Sequence, residues 1–268
     1  MHHTITDQEF GWFQRFIFEA AGISMGDTKK ALVSGRLAKR LAALRLDSFT
    51  AYFRLLDSGQ RPEEVQAAID LLTTNETYFF REAKHFELLR RLALEAAQRP
   101  HQAMRVWSAA SSSGEEAYSI AMVLADCLPQ APWEVLGTDI SSRMLHKART
   151  GHFPMERARH IPQNYLKRFC LRGFGEQQGT MLVDRSLRAR VQFRHANLNE
   201  ALPALGQFDV IFLRNVMIYF NAETKRRVVA RLLAHLKPGG HFLIGHSESL
   251  NDITQALVPV APSIYRKP

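Results

Sequence analysis

The pattern of apolar and polar positions changes character twice along the chain. Up to about residue 72 the apolar residues recur at helical spacing. Phe10, Phe13, Phe16 and Ile17 make one stripe, and Val33, Leu37, Leu41 and Leu44 make a second beyond Gly22 and Gly26. Phe49–Asp57 and Pro62–Leu72 fit two further short helices, so residues 1–72 read as a small helical domain. A polar run ending in aromatics follows (Thr73-Thr74-Asn75-Glu76-Thr77-Tyr78-Phe79-Phe80-Arg81), then a helix over 84–97. From Arg105 short apolar runs alternate with amphipathic ones: a strand over 105–110, a helix over 114–128, a strand over 133–137 and a helix over 141–150. The same rhythm returns in Val210-Ile211-Phe212-Leu213, a helix over 223–236, a Lys237-Pro238-Gly239-Gly240 break and a strand over 241–245. Such alternation predicts an α/β domain over 73–268, a mostly parallel sheet with helices on both faces.

Between His160 and Phe193 the rhythm is interrupted. Gly173, Gly175 and Gly179 surround Met181-Leu182-Val183, with Val191-Gln192-Phe193 shortly after, which predicts an antiparallel β-subdomain inserted at about 171–193.

Composition changes this picture only at the edges. With 268 residues and 46% apolar content, the chain can bury a core in each of two domains. No apolar run is long enough to cross a bilayer and no basic-then-apolar leader opens the sequence, so a cytoplasmic location is expected. The 2 cysteines and 11 histidines fall in no ligand spacing, and no metal site is expected. The net charge of +9, from 35 Lys and Arg against 26 Asp and Glu, asks for an acidic partner without naming it.

Ligands of open parallel sheets sit beyond the carboxyl ends of the strands, which selects the residues to weigh. Ser108–Ile120 leads from a strand into a helix through small residues that allow close approach to the backbone. It lacks a GxGxxG pattern, and Glu115 and Glu116 at the helix start would repel phosphate. They suit a cationic ligand, or they simply complement the helix dipole. Asp139 ends the next strand, where an acid accepts hydrogen bonds from ribose or caps the following helix. Asn197 follows another strand and could read an adenine edge or form a turn. Asn215 and Tyr219 stand beyond Leu213, with aromatic core filling as the other reading of Tyr219. A cationic ligand carrying ribose and adenine is S-adenosylmethionine.

Four spaced motifs then resemble the CheR chemotaxis receptor methyltransferases: Leu72–Glu82 (LTTNETYFFRE), Trp107–Ala121 (WSAASSSGEEAYSIA) with Thr138-Asp139-Ile140, Arg214–Phe220 (RNVMIYF) and Gly245–Glu248 (GHSE). The resemblance covers nearly the whole chain. It implies a Rossmann-like class I methyltransferase sheet and methyl esterification of glutamate side chains on the cytoplasmic region of chemoreceptors, with S-adenosylmethionine as donor and S-adenosylhomocysteine as product. Carried over by motif, Asn75, Thr77 and Arg81 would line the cofactor pocket, Glu116 would hold the methionine amino group and Asp139 the ribose. Asn197 with Leu198, and Asn215 with Val216, would complete the surroundings, and Arg81 and Tyr219 would position the substrate glutamate. Ser113 and Ala117 stand where the family has Thr and Pro, which leaves the choice between Glu115 and Glu116 open.

The chemistry agrees with this inventory, because a carboxylate with an ordinary pKa of about 4.3 needs no general base to attack a sulfonium methyl. Between residues 29 and 45 lie six basic residues and no acid, with Lys29, Arg36, Lys39 and Arg40 among them. By resemblance this helix meets the acidic methylation region of the receptor, although a solvated face is the ordinary reading. Gly173 and Gly175 resemble a loop associated with docking of a receptor's C-terminal pentapeptide. The expected localisation is cytoplasmic, recruited to membrane receptor arrays, with no direct membrane insertion. A nucleic-acid methyltransferase would share the basic charge but lacks its amine-methylation motif here, so no nucleic-acid partner is expected. A non-catalytic adaptor would not require Arg81, Asp139, Asn215 and Tyr219 together.

Overall fold

A computed structural model describes residues 4–99 and 102–268. Four helices build the first unit: α1 (Asp7–Ala21), α2 (Lys30–Leu44), α3 (Phe49–Asp57) and α4 (Pro62–Leu72). Helix α1 begins in a capping box, where the Thr6 hydroxyl accepts from the Glu9 N–H and the Glu9 carboxylate accepts from the Thr6 N–H at 2.9 Å. It ends at Gly22 (φ 72°), whose hydrogen side chain also lets the chain pass Thr224 and Asn199, where a Cβ would have no room. The apolar stripes read from the sequence close on one another: Phe13, Ile17, Val33, Leu37, Leu41, Phe49, Tyr52 and Leu72 are all buried.

The second unit alternates strand and helix. It runs α5 (Ala83–Ala96), β1 (Met104–Ala109), α6 (Glu115–Cys127), β2 (Trp133–Asp139) and α7 (Ser142–Thr150). An excursion follows through β3 (His152–Pro154), α8 (Gln163–Phe169), β4 (Cys170–Arg172), β5 (Thr180–Val183) and α9 (Arg185–Arg188). The chain then returns through β6 (Val191–His195), β7 (Phe208–Leu213), α10 (Ala222–Leu233), β8 (Leu236–Ile244), β9 (Val258–Ala261) and β10 (Ile264–Arg266). The main sheet has the order β6-β2-β1-β7-β8-β10-β9, parallel from β6 to β8 and antiparallel at β10 and β9. Its faces follow the strand period of two. Val106, Val135, Val210, Phe212 and Leu243 pack toward α5 and α6, while Trp107, Leu136, Ile211, Leu213 and Phe242 pack toward α10.

Two expectations are corrected. The inserted antiparallel sheet is β3-β5-β4, drawn from residues 152–183 rather than 171–193. The Val191–Phe193 stretch is not part of it: β6 pairs in parallel with β2 at the edge of the main sheet, Val191 opposite Val135. One buried face on an edge strand produces the same alternation in either sheet, so the pattern alone cannot name the partner. The Lys237-Pro238-Gly239-Gly240 break lies inside β8 as an irregularity, where β7 advances from Phe208 to Val210 while its partner advances from Leu236 to His241.

The helical unit is fastened over the carboxyl end of the sheet. Gln66 Nε2 donates to the Ile140 carbonyl (2.9 Å), the Arg143 N–H donates to Asp70 (3.2 Å) and Ser24 N–H donates to the Tyr219 carbonyl (2.8 Å). Ile23 and Phe220 add an antiparallel bridge.

Candidate active site at the seam of the two units

A cavity opens where the strand ends meet the underside of the helical unit, the place at which open parallel sheets bind ligands. The segment Thr73 to Arg81 straps across it, contributing Asn75, Thr77 and Arg81. Beyond the strands, Glu116, Asp139, Asn197, Leu198, Asn215, Val216 and Tyr219 complete the wall. Every residue expected at the cofactor or the substrate glutamate therefore faces one cavity.

The two glutamates that begin α6 part company. Glu115 turns into the protein and is fully buried, accepting from Ser113 Oγ at 2.6 Å with Arg157 at 3.6 Å. Glu116 faces the cavity, accepting from Ser108 Oγ at 2.7 Å and from Arg214 Nη1 at 2.8 Å. Successive helical residues point about 100° apart, so only one of the pair could reach the cavity. Burial pushes the Glu116 carboxyl above its ordinary value, against the pull of Arg214 and Ser108.

Asp139 does not cap α7; Ser141 does, its Oγ accepting from the Met144 N–H at 3.2 Å. The Asp139 oxygens instead accept one N–H each, from Ser112 and Ser141, both at 2.8 Å. This leaves a buried carboxylate, raised by burial, with unused lone pairs on the cavity side.

Asn197 requires a correction. Its Nδ2 donates to the Ala20 carbonyl (2.7 Å) and to Glu200 (2.8 Å), and its Oδ1 accepts from the Asn199 N–H (3.0 Å). The side chain is committed to a turn and to holding α1, so of its two readings the structure shows the turn.

Arg214, the residue that opens the Arg214–Phe220 motif, organises the cavity floor. Its side chain is 1% exposed; Nη1 meets Glu116, while Nη2 meets Glu82 at 3.0 Å and the Arg81 carbonyl at 2.6 Å. A charge directly after the buried apolar run Val210 to Leu213 has to be paired, and that is the signal the sequence offers. Two carboxylates against one guanidinium leave an excess negative charge at the cavity floor, a setting for a cationic ligand.

Behind Glu82, residues far apart in sequence converge. Glu82 Oε2, His85 and His246 place ligand-type atoms within 4.8 Å of one another, a grouping that spacing could not reveal. His85 Nε2 lies 2.8 Å from Ser263 Oγ, and its Nδ1 faces Glu82 Oε2 at 3.5 Å. Burial and the neighbouring Arg214 push His85 down to about 3, keeping it neutral. Burial would raise Glu82, but Arg214 and the His246 N–H outweigh it and hold the carboxyl below its ordinary value. The guanidinium already supplies the cation that this carboxylate requires.

Backbone strain gathers around the same cavity. Phe80 (φ 55°) and Glu82 (φ 59°) flank Arg81, and Ala110 (φ 70°), Ser112 (φ 48°) and Asn215 (φ 57°) line or border the wall. Left-handed non-glycine residues persist only where surrounding contacts over-determine them. Here Ser119 Oγ accepts from the Phe80 N–H (3.0 Å), and the Glu248 carboxylate accepts from the N–H groups of Asn215 (2.9 Å), Met217 (2.8 Å) and Gly245 (2.6 Å). Arg81 itself is only lightly held, with Nη1 to the Glu76 carbonyl at 3.2 Å and its guanidinium 5.5 Å from the Tyr78 ring centre.

The residues expected to meet a receptor lie elsewhere. Lys29 and Lys39 are exposed, whereas Arg36 donates to the carbonyls of Leu71, Leu72 and Thr73 at 3.1–3.3 Å. Arg40 binds the buried Glu64 through two nitrogens, and its guanidinium is consumed there. Gly173 and Gly175 sit in the turn between β4 and β5, where a Cβ at Gly173 would run into the Gln177 carbonyl and Gly175 has φ 59°. Phe174 between them is 88% exposed.

Comparison with known proteins names this arrangement. Residues 8–73 match the CheR methyltransferase all-alpha domain and residues 75–264 match the CheR methyltransferase SAM binding domain. The chain is 40% identical to the chemotaxis protein methyltransferase of Salmonella typhimurium over 264 residues (97% of this chain, 90% of that one). It is 42% identical to chemotaxis protein methyltransferase 2 of Pseudomonas aeruginosa (97% and 93%) and 40% identical to the chemotaxis protein methyltransferase of Escherichia coli (97% and 91%). The fold and cavity are those of an S-adenosylmethionine-dependent methyltransferase. The chain belongs to the CheR methyltransferase family.

Proposed function

We propose that this enzyme methylates chemoreceptors, forming 5-O-methyl esters on glutamate side chains of their cytoplasmic region. The observation that carries the proposal is the unbalanced charge at the cavity floor, where Glu116 and Glu82 share Arg214 beneath a mouth bearing Arg81 and Tyr219. S-adenosylmethionine supplies a sulfonium methyl and leaves as the neutral thioether, S-adenosylhomocysteine, when a carboxylate oxygen attacks in line.

Each side chain then has a defined task. Glu116 takes the ammonium group and completes the charge balance of the Arg214 network. Asp139 takes the ribose hydroxyls, and the main chain of Asn197, Leu198, Asn215 and Val216 encloses the remainder with Asn75 and Thr77 from the strap. Arg81 and Tyr219 orient the incoming carboxylate. A tight Arg81 clamp would stabilise the ground state, and the loose hold that the strap gives its guanidinium suits an orienting role. No proton moves, and among the described residues the cavity wall contains no histidine or lysine that a base-dependent transfer would call upon. Closing water out of the seam favours a step in which anion and cation neutralise one another.

A tether is supported by a separate feature. Strand β4 is the edge of the small sheet and among the described residues pairs only with β5, which supports addition of a peptide as a further strand, with Phe174 exposed at its end and the exposed Arg172 on it for a terminal carboxylate. Among the described residues no helix is long and apolar enough to cross a membrane, in keeping with a cytoplasmic enzyme recruited to receptor arrays. The test is transfer of radiolabelled methyl from S-adenosylmethionine to receptor-containing membranes, with base-labile release as methanol. Label that resists base, or that enters nucleic acid, overturns the proposal. Calorimetry with an acidic, aromatic-ended pentapeptide tests the tether separately, and no heat at high concentration excludes it.

A further inference from the structure

Two neighbouring strands of the main sheet, β7 and β8, run out into loops beside the cavity, and a single carboxylate holds both loops. Glu248, in the loop after β8, is half-buried, and its two oxygens serve three main-chain donors. Oε2 accepts from the N–H groups of Asn215 (2.9 Å) and Gly245 (2.6 Å), and Oε1 accepts from the Met217 N–H (2.8 Å). Bonds to an ionised carboxylate are shorter and stronger than neutral ones, so the clamp is firm. What it clamps is the wall of the site. Asn215 is left-handed (φ 57°) and lines the cavity with Val216, while Met217 opens the short turn Met217–Tyr219 that carries Tyr219 to the mouth. From the other side the Tyr219 carbonyl accepts from the Ser24 N–H of the helical unit at 2.8 Å. The clamp also requires glycine at 245, since a Cβ there would lie 2.5 Å from Asn215 Nδ2 and 2.9 Å from Glu248 Oε2.

We propose that Glu248 is a positioning residue for methyl transfer: by fixing the main chain at Asn215 and Met217, it sets where Tyr219 meets the incoming carboxylate. The inference rests on the glutamate-esterification reading above and adds to it a residue that does not itself line the cavity. Glu248 acts through the loop after β7, whose left-handed residue persists only while surrounding contacts over-determine it. A carboxylate is suited to the task because it only accepts, and three N–H groups from two loops point at it. Displacing a reacting group by about 1 Å is enough to cost two orders of magnitude in rate, so such a clamp has kinetic weight from outside the cavity.

Glu248→Gln in the full-length enzyme keeps the shape of the side chain but turns an amide donor against N–H groups that need an acceptor. With saturating S-adenosylmethionine and receptor-containing membranes, its kcat should fall on the order of ten- to a hundredfold while the receptor KM changes by no more than about twofold. Gly245→Ala wedges Asn215 away from Glu248 without removing the carboxylate; it should show the same split, and it decides the matter if Glu248→Gln does not fold. Each variant is assayed below its own melting temperature, so that only folded enzyme is counted. Combining Glu248→Gln with Tyr219→Phe should lower kcat by less than the product of the separate losses, because both act on one group. Ser247→Ala, an exposed neighbour, serves as control and should keep wild-type kcat. Wild-type kcat in Glu248→Gln and Gly245→Ala, with only the melting temperature lowered, overturns the proposal and leaves a clamp that serves the fold alone. Losses that multiply in the double variant, or a Tyr219→Phe enzyme with wild-type kcat, overturn it too while leaving receptor methylation standing. Absence of transfer by the wild-type enzyme instead sinks the proposed function itself.

Discussion

Two buried charge networks in this molecule look alike and differ in one respect. Inside the helical unit Glu64 is fully buried and accepts from Arg40 through two nitrogens and from the Tyr52 hydroxyl at 2.9 Å. One negative charge meets one positive, and the carboxylate is pulled below its ordinary value, foremost by its bonds to Arg40. At the seam, two carboxylates share Arg214, Glu82 Oε2 has that ion pair as its contact, and His85 Nδ1 and Arg214 Nε lack hydrogen-bond partners. The first network is complete and can only stabilise; the second is one charge short, and under the proposed function the missing charge is the one the cofactor brings. Completeness, more than burial, separates a structural ion pair from a binding site.

The strongest way to sharpen the contrast is to remove the residue that belongs to neither network. Arg81→Ala should cut turnover by about 10²-fold or more while S-adenosylhomocysteine affinity changes only a few-fold and the melting temperature holds; near-wild-type turnover at saturating cofactor would remove Arg81 from the reaction. Next in size, the two glutamates should fail in opposite ways. Glu64→Ala strips Arg40 and Tyr52 of their partner and should destabilise the fold by about 3 kcal/mol in chemical denaturation, leaving cofactor affinity in the folded protein intact. Glu116→Gln should lower S-adenosylhomocysteine affinity by about ten- to a hundredfold at little cost in stability. If both variants lose stability equally, the two networks are of one kind.

Acid should separate them again, by a smaller margin. The Glu116 carboxyl lies above its ordinary value of 4.5, so it takes up a proton first as pH falls, and cofactor affinity should decline from above that point. Glu64 lies below the same value, so the stability it contributes is present above about pH 4.5 and is lost only as pH falls through its depressed folded value. Calorimetry and thermal melts across pH 4–6 check the order, and simultaneous loss would contradict it. The smallest effect expected is on salt: receptor KM should rise severalfold between low and physiological ionic strength, while the melting temperature, set by shielded pairs such as Arg40 with Glu64, barely moves.

Much of this was legible in the order of residues, for reasons that differ by place. Helical stripes such as Val33, Leu37 and Leu41 and strand runs such as Val210 to Leu213 announce themselves because burial imposes a period. The ring of cavity residues was legible because each lies at a strand end or in the strap, positions that topology makes adjacent. What stayed hidden depended on partners. Val191 and Phe193 alternate correctly but do not say which sheet they join. Arg36 and Arg40 look like surface charge until Thr73 and Glu64 are found against them. Arg214, Glu82, His85 and His246 come from three separate segments, and only the folded chain shows that they form one cluster.

The strap lies where the two family domains abut, at residues 73 and 75, and it carries Asn75, Thr77 and Arg81 into a cavity whose roof also needs Ala21 and Ile23. Neither half therefore inherits a working catalyst. A recombinant sheet domain should be inert even if it folds, and chimeras between relatives should keep activity only when Ala20 to Ile23, the strap and the loop at Asn197 are exchanged as a set.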